Sequence, residues 1–103
     1  MKKITLKNAT QKGKRYTVIM EGFPNMKNHS HSFGSASGKT FIDGRNQKEK
    51  SAFIKRHEND KGWNQIHSGI YYSRYLLWGP YDNLKQNIKS LERRLNAKII
   101  NKI

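Results

Sequence analysis

The sequence predicts an α+β fold: a small antiparallel sheet of three to four strands packed with two to three helices, the C-terminal one amphipathic. Three observations lead to this prediction. Apolar and polar residues alternate with period two in residues 14–22 and again in residues 29–33, and apolar residues recur at helical spacing in residues 82–96. With 103 residues, the chain (1–103) is expected to form a single small basic domain.

The first two predicted strands form a hairpin. Residues 14–22 read KRYTVIMEG, in which every second residue from Tyr16 to Met20 is apolar and the middle is β-branched. Residues 23–28 contain Pro24 and two Asn, which favour a turn. In residues 29–33 the alternation returns, so this segment is predicted to pair with the first across a longer loop.

Further strands are predicted from weaker patterns. Residues 39–42 are expected to add a third antiparallel strand before Asp43 and Gly44 break the pattern. Near the start, Ile4 and Leu6 are expected to supply a short edge strand. The tail 97–103 has three Ile, so it is expected either to form a last strand or to fray.

Three segments have helical patterns. Residues 46–57 are good helix formers, with Glu49, Phe53 and His57 on one side. Residues 69–78 are the most apolar part of the chain and are predicted to form a short buried helix rather than a strand. Residues 82–96 form the clearest helix, with Asp82 as the expected N-cap. Its apolar stripe consists of Leu84, Ile88, Leu91 and Leu95.

The composition indicates what kind of partner the protein binds and excludes some classes of protein. Lys and Arg number 21 against 7 Asp and Glu, and the net charge of +14 is spread over the whole chain. Such a surplus favours a polyanionic partner, nucleic acid first. The absence of cysteine excludes disulfide scaffolds and Cys-based zinc sites. We expect no signal peptide and no membrane span, and an intracellular or intraviral location rather than secretion.

The strongest candidate for a binding surface is on the last helix. Lys85, Lys89 and Arg93 recur at intervals of four, which places them away from the leucine stripe as one basic ridge. The alternative is an ordinary solvated face. Further cations favour the phosphate-binding interpretation: Arg94, Lys98 and Lys102 beside the ridge, and Lys48, Lys55 and Arg56 on the earlier helix.

The aromatic segment 71–75 allows two interpretations. Its tyrosines would stack on unpaired bases while Arg74 holds a phosphate. The favoured alternative is that Tyr71, Tyr75 and Trp78 form one face of the core. Trp63 stands alone in a polar stretch and is either a lid on the core or an exposed contact.

No pattern predicts catalysis, a metal or a cofactor. His29 and His31 point the same way from one strand, but a third ligand would have to come from His57, His67 or a carboxylate, and His57 is expected to pack beside Phe53. The Gly34–Thr40 segment ends like a P-loop without its spacing and is expected to be a turn. The carboxylates are scattered among bases, which favours ion pairing over metal-dependent chemistry: Asp43, Glu49, Glu58, Asp60 and Asp82.

The chain resembles a small family of uncharacterised proteins encoded by giant viruses, the nucleocytoplasmic large DNA viruses. The likeness spans roughly residues 33–93, and its most specific part is the segment from Ser73 to Trp78, SRYLLW. The other matching pieces are Phe53–His57, Trp63, Ser68-Gly69, Tyr72 and Leu84–Ile88. The resemblance implies a viral origin and no particular activity.

Two functions are therefore expected, neither enzymatic. The first is a nucleic-acid-binding accessory protein that contacts DNA or RNA backbone without base specificity, in genome packaging or condensation. The second is a minor capsid or other structural virion protein that binds acidic protein partners. Exposed apolar groups such as Trp63 and the Ile-rich tail would indicate the second. No membrane or small-molecule partner is expected.

Overall fold

A computed structural model describes residues 2–24 and 26–103. Asn25, in the predicted hairpin loop, and Met1 lie outside the described residues. The α+β prediction is confirmed: four strands form one sheet, and three helical segments pack with it. The strands are β1 (Lys3–Asn8), β2 (Lys14–Glu21), β3 (His29–Ser35) and β4 (Lys98–Asn101); the helices are α1 (Gln47–His57), α2 (Gly69–Tyr72) and α3 (Leu84–Leu95).

The sheet has the order β3-β2-β1-β4. The predicted hairpin is confirmed, since β2 and β3 are antiparallel with Tyr16 opposite Phe33. The prediction of a wholly antiparallel sheet is wrong in one pair, because β4 runs parallel to β1, with Ile4 beside Ile99. The chain crosses from β3 through the helical segments to the far side of β1, and this crossover lets β4 enter in the same direction as β1.

The first strand lies inside the sheet. Ile4 and Leu6 do form a strand, as predicted, but β1 pairs with both β2 and β4 and is therefore not an edge. Both side chains are almost fully buried. The edges are β3 and β4, and the tail beyond residue 97 forms the strand rather than fraying.

The predicted third antiparallel strand at residues 39–42 is wrong. Phe41–Asp43 is a single 3-10 turn. The Thr40 hydroxyl and backbone N–H both donate to Asp43 Oδ2, at 2.8 and 2.9 Å, and the Asp43 N–H donates to the Thr40 carbonyl. These local bonds compete with strand pairing, as is usual for Thr and Asp.

The first long helix begins where the sequence predicts. The Asn46 side chain accepts from the Glu49 N–H at 2.9 Å, and Glu49 Oε1 accepts from the Asn46 N–H at 3.3 Å. This reciprocal capping box satisfies N–H groups that have no partner within the first turn.

The apolar segment 69–78 is helical, as predicted. Helix α2 continues into one π-helical turn, Ser73–Leu77. Tyr72, Leu76 and Leu77 lie in the main core with the buried residues of the sheet. The Tyr72 hydroxyl donates to the Ile66 carbonyl at 2.7 Å, so its polar tip is satisfied inside the core.

The last helix begins at Leu84, and the predicted N-cap at Asp82 is wrong by one residue. Asn83 has extended backbone and its side chain accepts from the Gln86 N–H at 3.1 Å, so Asn83 is the cap. The predicted stripe faces the core: Ile88 and Leu91 are buried, while Leu84 and Leu95 pack against them half-buried.

Candidate nucleic-acid interface

The basic ridge of α3, defined as Lys85, Lys89 and Arg93, is exposed along its length. The buried residues of the helix are Asn87, Ile88 and Leu91, and helical geometry places the ridge on the opposite side. A depression of about 210 Å³ lies at the ridge, lined by Tyr81, Gln86, Lys89 and Arg93. The ridge therefore offers both a row of cations and a shallow concavity.

Glu92 does not neutralise this ridge. Its Oε2 accepts a hydrogen bond from the Ile99 N–H at 2.9 Å, so the carboxylate joins α3 to β4. Arg93, its neighbour in sequence, is exposed, whereas Glu92 is half-buried. Glu92 therefore stabilises the contact between α3 and β4, and it does not offset the positive charge of the ridge.

The cations beside the ridge are all exposed, but they differ in their contacts with the rest of the chain. Arg94 is exposed, and its guanidinium carbon lies 4.7 Å from the centre of the Tyr75 ring, an arrangement that orients it against the aromatic segment. Lys98 and Lys102 are exposed at β4.

The cations predicted on α1 are also at the surface. Lys48, Lys55 and Arg56 are all exposed, on a helix whose buried side chain is Phe53. Of these, Arg56 lines two depressions beside the helix, so it differs from its neighbours in facing a concave surface.

Arg74 is engaged within the chain. Its Nη1 donates to the Trp63 carbonyl at 3.0 Å and to Asn64 Oδ1 at 2.9 Å. Its guanidinium also lies 4.3 Å from the centre of the Trp63 ring and 4.6 Å from that of Tyr75. We therefore leave this predicted phosphate contact out of the proposed interface, because these contacts hold the 58–68 loop against the aromatic segment.

The aromatic segment belongs to the core, the favoured of the two interpretations. Tyr71 and Tyr72 are buried, and Tyr75 and Trp78 pack half-buried against the core. Burial raises the pKa of Tyr72. Trp63 is 6% exposed and packs near Phe53, so it is a lid and not an exposed contact.

The two strand histidines lie on the same face of the sheet as Val18 and Met20, against which they pair. Their ring centres are 5.0 Å apart, and His67 stacks on His29 at 6.1 Å. Nε2 of His29 and of His31 is buried without a hydrogen-bond partner among the described residues. Burial, with His29 and His67 nearby, lowers the pKa of His31.

This cluster does not amount to a metal centre in the part of the chain that the structure describes. No group of three or more His, Asp or Glu among those residues is placed to hold an ion. His57 lies elsewhere, with its ring 4.8 Å from that of Phe53, as predicted, and Nδ1 2.7 Å from Asp60 Oδ2.

Three of the five carboxylates predicted to form ion pairs lie beside a basic side chain: Asp43, Glu49 and Asp60. Among the described residues, Glu58 and Asp82 form no such pair. Asp43 binds Arg15 through both oxygens, at 2.5 and 2.8 Å, and Glu49 binds Arg45 at 2.8 Å. The Arg15 guanidinium holds the pKa of the Asp43 carboxyl well below its ordinary value. Gly34 and Ser35 end β3, and the chain bends after them, with the Gly38 N–H donating to Ser35 Oγ at 3.2 Å.

Sequence reasoning missed a second basic concavity. Lys39, Arg56 and Trp78 line two adjoining depressions, and Arg45 lines one of them. These residues lie far apart in the sequence and share no periodic pattern, so only the folded chain brings them together.

These observations define a small basic α+β domain with cations arranged outside one apolar core. The family model described as "Family of unknown function (DUF5754)" matches residues 4–57, just over half of the chain, and the chain belongs to this family. The match covers β1 to α1, and the resemblance of residues 33–93 to giant-virus proteins stays a prediction. Searches of the curated proteins and of the solved structures found no match.

Within residues 2–24 and 26–103, no helix combines the length and the apolar character needed to cross a bilayer.

Proposed function

We propose that this chain binds the phosphate backbone of nucleic acids, DNA or RNA, without reading base sequence. The observation that carries the proposal is the surplus of 14 positive charges, with most of the Lys and Arg side chains exposed. Among the described residues, the Lys and Arg side chains that pair with a carboxylate are Lys3, Arg15 and Arg45. Phosphate contacts by the remaining cations would release condensed counterions, which is favourable and depends on salt.

The ridge of α3 is the first part of the proposed interface. Like charges one turn apart destabilise a helix by a few tenths of a kcal/mol per pair, about 0.2–0.5. A polyanion along the ridge would turn this repulsion into attraction. Such contacts position the partner and carry no base information, because every phosphate is alike.

The biological setting we propose is a large DNA virus, in the virion or in the cytoplasm or nucleus of the infected cell. This part rests on the resemblance of residues 33–93, and the role it suggests is packaging or condensing the genome. Binding without base specificity suits that role, since a packaged genome offers mainly backbone.

The alternative is a minor structural virion protein with acidic protein partners. The burial of Trp63 removes one of its expected signs. Tyr81 and Ile103, at 42% and 47% exposure, are the large apolar residues left at the surface of the described chain. They are scattered rather than contiguous in sequence, so we favour the nucleic-acid proposal.

The proposal is tested by gel-shift titration with duplex and single-stranded DNA at about 50 mM and about 200 mM salt. We expect both forms to bind and affinity to fall steeply with salt. Replacing the ridge by glutamine, K85Q/K89Q/R93Q, is expected to lower the salt slope by about 0.9 for each lost duplex contact.

The matched control is K12Q/K27Q/K61Q, which removes the same charge from exposed positions outside α1 and α3. Equal losses in the two variants would mean that net charge acts without a site. Absence of binding at low salt would overturn the proposal. Saturation by an acidic protein at fixed stoichiometry, with no response to DNA, would favour the structural alternative.

A further inference from the structure

A cleft lies beside α1, between this helix, the segment from the end of β3 to Thr40, and the end of the π-helical turn. It consists of two adjoining depressions of about 220 and 250 Å³, which share Lys39, Arg56 and Trp78 as lining residues. Each is smaller than a typical small-molecule pocket, which holds roughly 300 Å³ or more. The cleft therefore suits one portion of a larger ligand better than a whole enclosed metabolite.

The walls of the cleft are cationic. Lys39 and Arg56 are both exposed, and neither forms an ion pair with a carboxylate among the described residues. Arg45 also lines the cleft, held by Glu49, the acidic member of the lining. The uncompensated charge of Lys39 and Arg56 in a concave site favours an anionic group between them.

Trp78 gives the same cleft an aromatic surface. One face of its ring stacks on Phe53, with centres 4.8 Å apart and planes 8° apart, which fixes the orientation of the indole. Trp78 nevertheless remains partly exposed and lines both depressions. A rigid, partly exposed indole beside two cations is the combination that binds unpaired bases along a strand.

We propose that this cleft holds one nucleotide of an unpaired strand, with its phosphate between Lys39 and Arg56 and its base against Trp78. The inference rests on the proposed nucleic-acid function and extends it. The ridge of α3 would bind backbone of either form, whereas the cleft would select strands whose bases are free to stack. In a duplex the bases are already stacked on each other, so the indole has no partner there.

The first test compares two charge-matched variants, K39Q/R56Q in the cleft and K85Q/K89Q on the ridge. Both pairs are exposed, and circular dichroism would verify that each variant keeps its fold. We expect K39Q/R56Q to weaken binding of oligothymidylate about tenfold more than binding of duplex. K85Q/K89Q is expected to weaken both about equally, because the ridge touches only backbone.

The second test uses Trp78 as its own reporter. The variant W63F leaves Trp78 as the remaining tryptophan of the two in the chain and keeps an aromatic ring at position 63. Oligothymidylate is expected to quench its emission, while polyphosphate, which has the charge but no bases, leaves the emission unchanged. The wild-type protein with the charge variants keeps the inference testable if W63F is unstable.

The outcomes separate this inference from the function it rests on. Equal losses of duplex and single-strand affinity in K39Q/R56Q would overturn the cleft and leave ridge binding standing. Unquenched Trp78 emission with oligothymidylate shown to be bound would do the same. Failure of the wild-type protein to bind either form would overturn both proposals.

Discussion

The side chain of Asn87 forms two hydrogen bonds with the backbone of Tyr81. Its Oδ1 accepts from the Tyr81 N–H at 2.9 Å, and its Nδ2 donates to the Tyr81 carbonyl at 2.8 Å. Nδ2 also donates to the Leu76 carbonyl at 3.0 Å. Asn87 is fully buried, so this one amide fastens the turn at residues 79–83 to α3.

Replacing Asn87 with alanine is expected to destabilise the protein by about 3 kcal/mol, because buried backbone groups lose their partners. The better helix propensity of alanine offsets only a small part of the loss, roughly 0.5 kcal/mol. Urea unfolding followed by circular dichroism measures the change. The control Q86A, at an exposed neighbouring position, should change stability by less than about 0.5 kcal/mol.

The Arg15–Asp43 pair is expected to make stability depend on pH in the acid range. The pKa of Asp43 lies below its ordinary value of 3.8, so its contribution is fully present above that pH and is lost as pH falls toward the folded pKa. We expect D43N to be less stable at neutral pH by about 1–2 kcal/mol and to lose less stability on acidification. Denaturation midpoints from about pH 7 to about pH 2 test this.

The matched control for that pair is E21Q. Glu21 pairs with Lys3 at 3.5 Å with both side chains more than 40% exposed, so its loss should cost less than about 0.5 kcal/mol. A D43N variant as stable as wild type at neutral pH would contradict the role of the pair in holding the 40–43 turn against β2.

The histidine cluster is expected to make stability depend on pH in a range above that of the Arg15–Asp43 pair. Because burial and the neighbouring histidines lower the pKa of His31, the unfolded chain takes up its proton first, and stability falls as pH drops below its ordinary value of 6.5. We expect H31Q to lose less stability than wild type between about pH 7.5 and about pH 5.

The control for H31Q is S30Q, on the opposite face of the same strand and exposed. It should keep the pH dependence of the wild type. Identical pH profiles for H31Q and wild type would contradict the prediction.

Gly34 is expected to tolerate no side chain. Its φ is +75°, and a Cβ there would lie 2.8 Å from Leu77 Cδ1 and 3.3 Å from Arg15 Cβ. Gly13 has a similar φ of +83° with open space around it, so G13A measures the backbone strain alone. We expect G34A to cost about 1–3 kcal/mol more than G13A in chemical unfolding. Equal destabilisation by the two variants would mean that Leu77 and Arg15 move aside without a cost in stability.

Local patterns in the sequence predicted most elements correctly. The alternation in β2 and β3 and the span of α1 depend on residues close in sequence, so they can be predicted directly. The place of β1 and the direction of β4 depend on the crossover, which no local pattern encodes. The turn at residues 40–43 was missed because neither the local Thr40–Asp43 hydrogen bonds nor the ion pair of Asp43 with Arg15, 28 residues away, produces a periodic pattern.

The candidate site was only partly predictable for the same reason. Helical periodicity places Lys85, Lys89 and Arg93 on one exposed ridge, and the structure has them there. An arginine such as Arg74 can bind phosphate, but the guanidinium of Arg74 packs on Trp63 and stabilises the fold instead. The cleft joins Lys39, Arg56 and Trp78 from three separate segments, so their proximity follows from tertiary packing alone.

The pairing of β4 with β1 has a consequence for how the chain is made. Lys3 stands beside Lys98 in the parallel ladder, so β1 has one open side until residues 98–101 have left the ribosome. An open strand edge invites pairing with other nascent chains, and lysines along it oppose such pairing. Lys3 and Lys7 lie in β1, and their charge would disfavour pairing of β1 with a second chain before β4 covers it.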